Sequence, residues 1–130
     1  MRPRRVYETV LYASDVAAAA AFYRDVLGLR LVEGPDELAA VFRLDDGGVL
    51  LIFDPARSGT PGRAVPSHGA EGAGHIAFSV DELDAAAEEF RAAGVEIERE
   101  IEWPQGGRSV YVRDPAGNSV ELVEGDLWPP

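Results

Sequence analysis

Apolar and polar positions in the first half of the chain predict a strand, a helix and three more strands. The first strand covers Val6–Tyr12. The segment "SDVAAAAAFYRDVLG" then has apolar residues at helical spacing, with Ser14 or Asp15 placed as N-cap and Gly28 placed to end the helix. The segments "LRLVEG", "LAAVFRL" and "GVLLIFD" follow as strands, and the sequence "DDGG" predicts a turn between the last two.

The same order of elements begins again at His75. "HIAFSV" predicts a strand, and "DELDAAAEEFRAAG" predicts a helix with Asp81 as N-cap and Gly94 at its end. "VEIEREIE", "RSVYVRD" and "SVELVE" predict three more strands, with the turn signal "PAGN" between the last two. Both halves therefore have the order β-α-β-β-β, an internal repeat in which Glu8 corresponds to His75 and Gly28 to Gly94.

The two halves are joined by the segment "DPARSGTPGRAVPSHGAEGAG", which is rich in Gly, Pro and small residues. This composition predicts an irregular connection and not a sixth element, and its length is typical of a lid or a linker. We expect one domain over residues 1–130, with a first module at about 5–56, the connection at 57–73 and a second module at about 74–125.

Composition then excludes several kinds of chemistry. The chain has no Cys, which excludes thiolate catalysis and thiolate metal sites, and its basic residues are all Arg, which excludes Schiff-base catalysis. A net charge of −11 makes nucleic acid and anionic membranes poor partners. Without a membrane-length apolar run or a signal-peptide pattern, we expect a cytoplasmic protein.

Three potential metal ligands fall on comparable faces of three predicted strands. Glu8 shares a face with Tyr12 in the first strand, His75 lies opposite the apolar face of "HIAFSV", and Glu121 lies opposite the apolar face of "SVELV". If these strands line one curved sheet, an imidazole and two carboxylates could converge on Zn, Mn, Fe, Co or Ni. The alternative is a solvated strand-end carboxylate and a hydrogen-bonded structural histidine.

Three long segments carry a family resemblance: "ETVLYASDVAAAAAFYRDVLGLRLV", "GAGHIAFSVDELDAAAEEFRAAGVEI" and "VYVRDPAGNSVELVEG". They resemble the vicinal oxygen chelate superfamily, which includes glyoxalase I, fosfomycin-resistance proteins, extradiol dioxygenases and bleomycin-resistance proteins. The resemblance implies an α+β fold in which two βαβββ modules form a cupped, barrel-like mixed sheet, with the helices on the outside. It also implies a homodimer, because chains of this size in the family commonly pair.

The resemblance further implies one divalent metal ion per site (Zn, Ni, Mn, Co or Fe), held by Glu8, His75 and Glu121. The fourth family position, used by glyoxalases, falls on Leu51 or Ile52 depending on register, and both are apolar. The chain therefore departs from the four-ligand glyoxalase I pattern. It also departs from the two-histidine, one-carboxylate set of the dioxygenases unless the histidine of the connection takes part, which disfavours dioxygenase chemistry.

Family members use the metal as a Lewis acid toward neighbouring substrate oxygens. The resemblance thus implies a metal-dependent lyase, isomerase or transferase acting on a small oxygenated metabolite, with Glu8 and Glu121 as catalytic carboxylates. The alternative is a metal-free protein resembling bleomycin-resistance proteins, which would sequester a cationic drug in an acidic, aromatic cleft. The three matching ligands favour the enzyme, whereas the net charge and the supply of Tyr and Trp fit the binding protein.

Candidate substrate contacts come from the walls of the expected cup and from the connection above it. They are Tyr12, His68, Ser79, Trp103, Arg108 and Tyr111, with Ser109 as a further wall residue. Arg43 and Arg113 are additional candidates for anchoring a carboxylate or phosphate. The alternative for each arginine is a surface residue that offsets the many acids. The glutamates of "VEIEREIE" alternate with mostly apolar residues, so they are expected on a solvated face without a functional role.

Overall fold

A computed structural model describes all 130 residues, which divide into two units, Met1–Gly72 and Ala73–Pro130. The eight strands form two four-stranded mixed sheets, one in each unit. The predicted α+β class and the two βαβββ modules are confirmed. Neither sheet closes into a barrel, because each has two outer strands that pair with one neighbour only. No helix has the length and apolar character that crossing a bilayer requires.

The elements of the first unit are β1 (Glu8–Tyr12), α1 (Val16–Ala21), a π-helical turn (Phe22–Val26), β2 (Arg30–Glu33), β3 (Ala39–Arg43), β4 (Val49–Phe53) and α2 (Pro55–Ser58). The strand order is β1-β4-β3-β2, in which β1 and β4 are parallel and the other pairs antiparallel. The helix α1 continues directly into the π-helical turn, and α2 follows the last strand.

Helix α1 begins as its sequence predicts, and the helical segment that it forms with the π-helical turn ends before Gly28, although the π-helical turn itself was not predicted. The Asp15 carboxylate caps it by accepting a hydrogen bond from the backbone N–H of Ala18 at 3.0 Å. Gly28 follows the π-helical turn with φ of +68°, a conformation that side chains with a Cβ rarely adopt. Tyr23 is fully buried, and α1 packs against β3 and β4. This packing covers one face of the first sheet and leaves the face that carries Glu8 on the other side.

The second unit repeats this arrangement with the strand order β5-β8-β7-β6, in which β5 and β8 are parallel. One helix, α3, packs against β7 and β8. The elements are β5 (His75–Ser79), α3 (Leu83–Ala92), β6 (Arg99–Glu102), β7 (Arg108–Arg113) and β8 (Ser119–Glu124).

The start of α3 differs from the prediction that Asp81 caps it. The helix begins at Leu83 with Glu82 as N-cap, and no side chain of the cap forms a hydrogen bond. The backbone N–H of Leu83 instead donates to the Glu124 carboxylate of β8 at 2.8 Å. A carboxylate from a distant strand therefore replaces the local cap, and the prediction of Asp81 was wrong.

Two further segments differ from their sequence patterns. The segment "VEIEREIE" is a strand only over Arg99–Glu102, although the N–H of Glu98 still donates to the carbonyl of Tyr111 at 2.8 Å. The connection contains the single-turn helix α2, which the sequence analysis did not predict. Asp54 caps α2 by accepting from the N–H of Ala56 at 2.9 Å, and the proline at its first turn has no N–H to leave unpaired.

Strand register shows which residues of the two modules correspond. Val10 pairs with Leu51 in the first sheet, and Ala77 pairs with Glu121 in the second. Both pairs lie two residues beyond the first residue of the parallel strand, so Leu51 and not Ile52 is the counterpart of Glu121. The counterpart of a buried carboxylate is therefore an apolar side chain.

Candidate metal centre and its pocket

His75 and Glu121 lie on the parallel strands β5 and β8, with their side chains on the same face of the sheet. The Nε2 atom of His75 is 3.2 Å from the Oε2 atom of Glu121. Glu121 is buried, with 6% of its surface exposed, whereas about half of the His75 side chain, 51%, is exposed. The pair thus joins a carboxylate with little access to water to an imidazole at the surface of the second unit.

The other ring nitrogen of His75 determines what this pair can hold. Its Nδ1 lies 3.2 Å from the carbonyl oxygen of Ser119, and a carbonyl only accepts hydrogen bonds. With the proton on Nδ1, a neutral imidazole presents the lone pair of Nε2 toward Glu121. Two acceptors at this distance require a proton or a cation between them. In metal-ligating histidines, one ring nitrogen binds the metal and the N–H of the other is commonly held by a carbonyl. His75 has this arrangement, so His75 and Glu121 fit a divalent metal.

The second oxygen of Glu121 is held by a neighbouring strand. The Ser109 hydroxyl, 1% exposed as a residue, donates to Oε1 of Glu121 at 2.5 Å. The indole Nε1–H of Trp103 donates to the same hydroxyl oxygen at 2.8 Å. Trp103, Ser109, Glu121 and His75 therefore form a continuous chain of contacts.

Tyr111 completes the surroundings of the pair. Its ring stacks on the His75 ring, with centroids 6.3 Å apart and an interplanar angle of 22°. Burial raises the pKa of the Tyr111 phenol above its ordinary value of 10.0, and its hydrogen bond with Glu121 raises it further. The phenol therefore stays protonated beside the carboxylate, where it can act as a hydrogen-bond donor.

A cavity of about 440 Å³ opens onto the pair. Three predicted substrate contacts, Ser79, Trp103 and Tyr111, line it together with His75 and Glu121. No arginine lines it; the other lining residues are Ala77, Phe78, Gln105, Val123, Gly125, Asp126, Leu127 and Trp128. The cavity thus presents aromatic and aliphatic surface beside two carboxylates.

The three candidate arginines lie outside this cavity and bind acids or turns. Arg108 pairs with Asp84 at 2.9 Å and with Glu124 at 3.2 Å. The guanidinium groups of Arg43 and Arg113 each donate to the carbonyl of a turn glycine, Gly47 at 3.1 Å and Gly117 at 3.0 Å; Arg113 also forms a two-bond ion pair with Glu98. These contacts match the alternative in which the arginines offset acids on the surface.

Tyr12 and His68 meet in the first unit. The Tyr12 hydroxyl is 2.7 Å from Nδ1 of His68, and the imidazole packs edge-on against Phe53 with centroids 4.7 Å apart. The buried Ser58 holds the backbone of His68 through two hydrogen bonds, Oγ to the His68 carbonyl at 2.7 Å and the His68 N–H to the Ser58 carbonyl at 3.0 Å. The connection therefore fixes its histidine against β1 and β4.

Glu8 is exposed at the start of β1, on the face that also carries Val10 and Tyr12. Glu8 corresponds to His75 through the register of the parallel strand pairs. The chain contains no group of three or more His, Asp or Glu side chains arranged to hold a metal ion. His75 and Glu121, the two candidate ligands that contact each other, belong to the second unit, and Glu8 belongs to the first unit.

Comparison with known proteins gives the family of this fold and site. The sequence profile of the Glyoxalase/Bleomycin resistance protein/Dioxygenase superfamily matches residues 5–122. The chain belongs to this superfamily. The resemblance carried by the three sequence segments is confirmed.

Several members of the superfamily are similar over nearly their whole length. A lactoylglutathione lyase from Agrobacterium tumefaciens, known from a crystal structure, is 44% identical over 98% of each chain with a TM-score of 0.92. The lactoylglutathione lyase of Escherichia coli O157:H7 is 31% identical, and that of Haemophilus influenzae is 29% identical, each over 92% of both proteins. This superfamily member is thus similar to several proteins named as lyases.

Parts of the cavity were not predicted from the sequence. Phe78 was expected on the core face of its strand, yet it is half-buried and lines the cavity. Asp126 and Leu127 also line the cavity, and they follow Gly125, which approaches Gly107 so closely that a Cβ on it would lie 2.9 Å from the Gly107 Cα. In the sequence, only these two glycines could have indicated this part of the cavity. Glycines with positive φ occur at many turns in the chain, so they do not single out a site.

Proposed function

We propose that this protein is a divalent-metal-dependent enzyme of the glyoxalase type, a lyase or isomerase acting on a small oxygenated metabolite. The observation that carries the proposal is the pair of His75 Nε2 and Glu121 Oε2 at 3.2 Å, with Nδ1 of His75 held by a carbonyl. In this geometry two acceptor atoms face each other, and a divalent cation could be bound by both.

His75, Glu121 and Glu8 would hold the metal in this proposal. A catalytic site of this type uses about three protein ligands and leaves a position for the substrate. When bound, the ion would supply Lewis acidity to two neighbouring oxygens of the substrate. The exposed Glu8 carboxylate is the group proposed to remove a proton from the substrate carbon and return it to the adjacent carbon. Glu121 is held by Ser109 and serves as the fixed carboxylate.

The remaining proposed contacts bind and orient the substrate. Ser79, Trp103 and Tyr111 line the cavity beside the metal pair, and their surfaces suit the carbon skeleton and hydroxyl groups of a small metabolite. Tyr12 and His68 form a preorganised pair on the first sheet. The lactoylglutathione lyase relatives support a lyase or isomerase reaction over other reaction types.

A homodimer could add Glu8 as a third ligand to each pair of His75 and Glu121. The strands β1 and β5, which carry Glu8 and His75, are outer strands of their sheets, and both residues are exposed. Outer strands commonly pair with another chain, and a two-fold axis would give two equivalent sites. We propose that Glu8 completes the site in this assembly.

A second function is favoured by the chemistry of the cavity. Its lining combines Trp103, Tyr111 and Trp128 with two carboxylates and has no arginine, which suits a cationic aromatic ligand. A metal-free binding protein that sequesters such a ligand would use this surface directly. In that case His75 and Glu121 would share a proton and not a metal ion.

Metal analysis of the purified protein separates the two functions. We expect about one divalent ion per chain in the wild type and none in a His75→Ala, Glu121→Ala variant, while a Glu96→Ala, Glu102→Ala variant keeps the wild-type content because those carboxylates are outside the site. Activity is assayed with lactoylglutathione, the compound in the relatives' name, before and after treatment with a chelator. A wild-type protein that binds no divalent metal after incubation with Zn²⁺, Ni²⁺, Mn²⁺, Co²⁺ or Fe²⁺ would refute the enzyme proposal.

A further inference from the structure

We propose that Ser109 and Trp103 are positioning residues that orient Glu121 as a one-oxygen metal ligand. This inference rests on the proposed metal function. It assigns a role to two side chains that would not bind the metal themselves but act through Glu121. The two residues connect the wall of the cavity to the buried side of the carboxylate.

The direction of each hydrogen bond is determined by the donors available. An indole N–H can only donate, so Trp103 occupies a lone pair of the Ser109 oxygen. The hydroxyl proton of Ser109 is then free to point at Oε1 of Glu121, 2.5 Å away. Because a hydroxyl proton is donated there, Oε1 of Glu121 is the acceptor of this hydrogen bond.

The consequence is an asymmetric carboxylate. Oε1 of Glu121 is held by a residue that is 1% exposed, whereas Oε2 faces His75. A carboxylate fixed in this way offers one oxygen to a cation at a defined angle, and rotation that would present both oxygens breaks the bond to Ser109. Such outer hydrogen bonds commonly determine both the orientation and the affinity of a metal ligand.

The first module provides an internal comparison. By strand register, Ala39 on β3 corresponds to Ser109 on β7, and Leu51 on β4 corresponds to Glu121 on β8. The first sheet forms with the same topology without either polar group. The strand topology of a module therefore does not require this hydroxyl, which occurs in the module that has a carboxylate to orient.

Trp103 adds a connection between this chain of contacts and the substrate. Its ring lines the cavity while its N–H holds Ser109, so a ligand that moves the ring also alters the hydrogen bond behind Glu121. We expect Trp103 fluorescence to change when the metal binds. Glu121 would then coordinate the metal, and Ser109 connects Glu121 to the indole N–H by hydrogen bonds.

Co²⁺ binding to the dialysed, metal-free protein tests the inference by titration calorimetry and visible absorption. We expect Ser109→Ala to weaken Co²⁺ binding by about 10- to 100-fold and to change the absorption bands, because the carboxylate can then rotate. Trp103→Phe keeps a smaller aromatic ring and removes the donor while Ser109 still holds Glu121, so we expect a smaller loss of affinity in the same direction. Ser14→Ala, at an exposed serine before α1, is the matched control and should bind as the wild type does.

The outcomes distinguish this inference from the proposed function. Wild-type protein that binds no Co²⁺ overturns both. Wild-type binding together with unchanged affinity and absorption bands in Ser109→Ala overturns the positioning role alone. If Ser109→Ala does not fold, as judged by circular dichroism, Trp103→Phe decides: affinity and bands equal to those of the wild type overturn the role, and a reproducible loss supports it.

Discussion

Nε2 of His75 lies 3.2 Å from Oε2 of Glu121, on neighbouring parallel strands at the start and end of the second module. The parallel pairing is what brings them together, because it places the first strand of the module beside its last. The carboxylate is buried and hydrogen-bonded on its far side, and the imidazole is oriented by a carbonyl. Both groups are thus fixed before any ligand arrives, as a preorganised site requires.

Glu8→Gln tests the proposed proton-transfer residue. Glu8 is exposed at the end of a strand, so its amide replacement should leave the melting temperature within about 2 °C of the wild type. Removal of a general base is expected to lower kcat by about 10²- to 10⁴-fold. Steady-state kinetics and metal content, measured on the same preparation, separate loss of the base from loss of a ligand.

The matched control for this prediction is Glu96→Gln, which changes an exposed glutamate outside the site in the same way. We expect wild-type kcat in this variant. Full activity in Glu8→Gln would contradict the role of Glu8 as the base.

The two histidines are expected to adopt opposite neutral tautomers. The carbonyl of Ser119 requires the proton of His75 on Nδ1, whereas a hydroxyl donated by Tyr12 leaves the proton of His68 on Nε2. Long-range ¹⁵N correlation spectra of the Zn²⁺-loaded protein in mildly alkaline solution should resolve both rings, because the chain has only two histidines.

Tyr12→Phe is the control for this assignment. It removes the hydroxyl that faces His68 and leaves the surroundings of His75 unchanged, so only the His68 pattern should lose its preference. The same nitrogen protonated in both rings of the wild type would show that one of the two hydrogen bonds has been assigned in the wrong direction.

Local patterns in the sequence were sufficient to predict the eight strands and the two main helices of the fold, but not α2 or the π-helical turn. Apolar spacing located both main helices, and strand alternation placed Glu121 and His75 on one face. The start of α3 was missed because its first N–H is satisfied by Glu124, a residue far away in the sequence. A contact that depends on tertiary structure leaves no mark in the residues next to the helix.

Around the candidate metal pair, too, local patterns predicted where residues lie but not the contacts that depend on tertiary structure. Ser109 was predicted to lie on the wall, but its hydrogen bonds to Trp103 and Glu121 require two strands and a turn to be in register. Likewise, the choice between Leu51 and Ile52 depended on a strand register that the sequence left open, and the pairing of β1 with β4 resolves it.

The stability of α3 should depend on pH through Glu124. The hydrogen bond from the Leu83 N–H, followed by that from Arg108, holds the pKa of Glu124 below its ordinary value of 4.5. A lowered pKa in the folded state means that the stabilisation is present above pH 4.5 and is lost as the pH falls through the lower, folded-state pKa. Glu124→Gln should therefore lower the melting temperature by a few degrees at pH 7, with a difference that shrinks in acid.

Glu82→Gln provides the comparison on the same helix. Glu82 stands at the N-cap without a side-chain capping bond, so its amide replacement should have little effect at either pH. Melting curves followed by circular dichroism between pH 3 and pH 7 measure both variants. A difference between wild type and Glu124→Gln that stays constant over this range would argue against a contribution from the ionised carboxylate.

Substitution of neighbouring residues on β4 tests the strand register that identifies the counterpart of Glu121. Leu51 is half-buried on the face that carries Glu8, whereas Ile52 is fully buried on the opposite face. Leu51→Glu is expected to keep the fold at a cost of no more than about 2 kcal/mol, since the new carboxylate retains contact with water. Ile52→Glu places the same group in the core without a partner and should cost on the order of 4 kcal/mol or more, enough to unfold much of a marginally stable domain.

Chemical denaturation measures the two free energies of unfolding, and Co²⁺ titration then tests the functional half of the prediction. Leu51 occupies the position that matches Glu121 and lies on the strand beside Glu8; in the homodimer proposed above, Leu51→Glu would add a carboxylate next to Glu8, and we expect tighter Co²⁺ binding than in the wild type. Leu51→Gln, which has nearly the same shape without the charge, should not tighten binding. If Ile52→Glu folds while Leu51→Glu does not, the register of β1 on β4 is displaced by one residue, and Ile52 is the counterpart of Glu121.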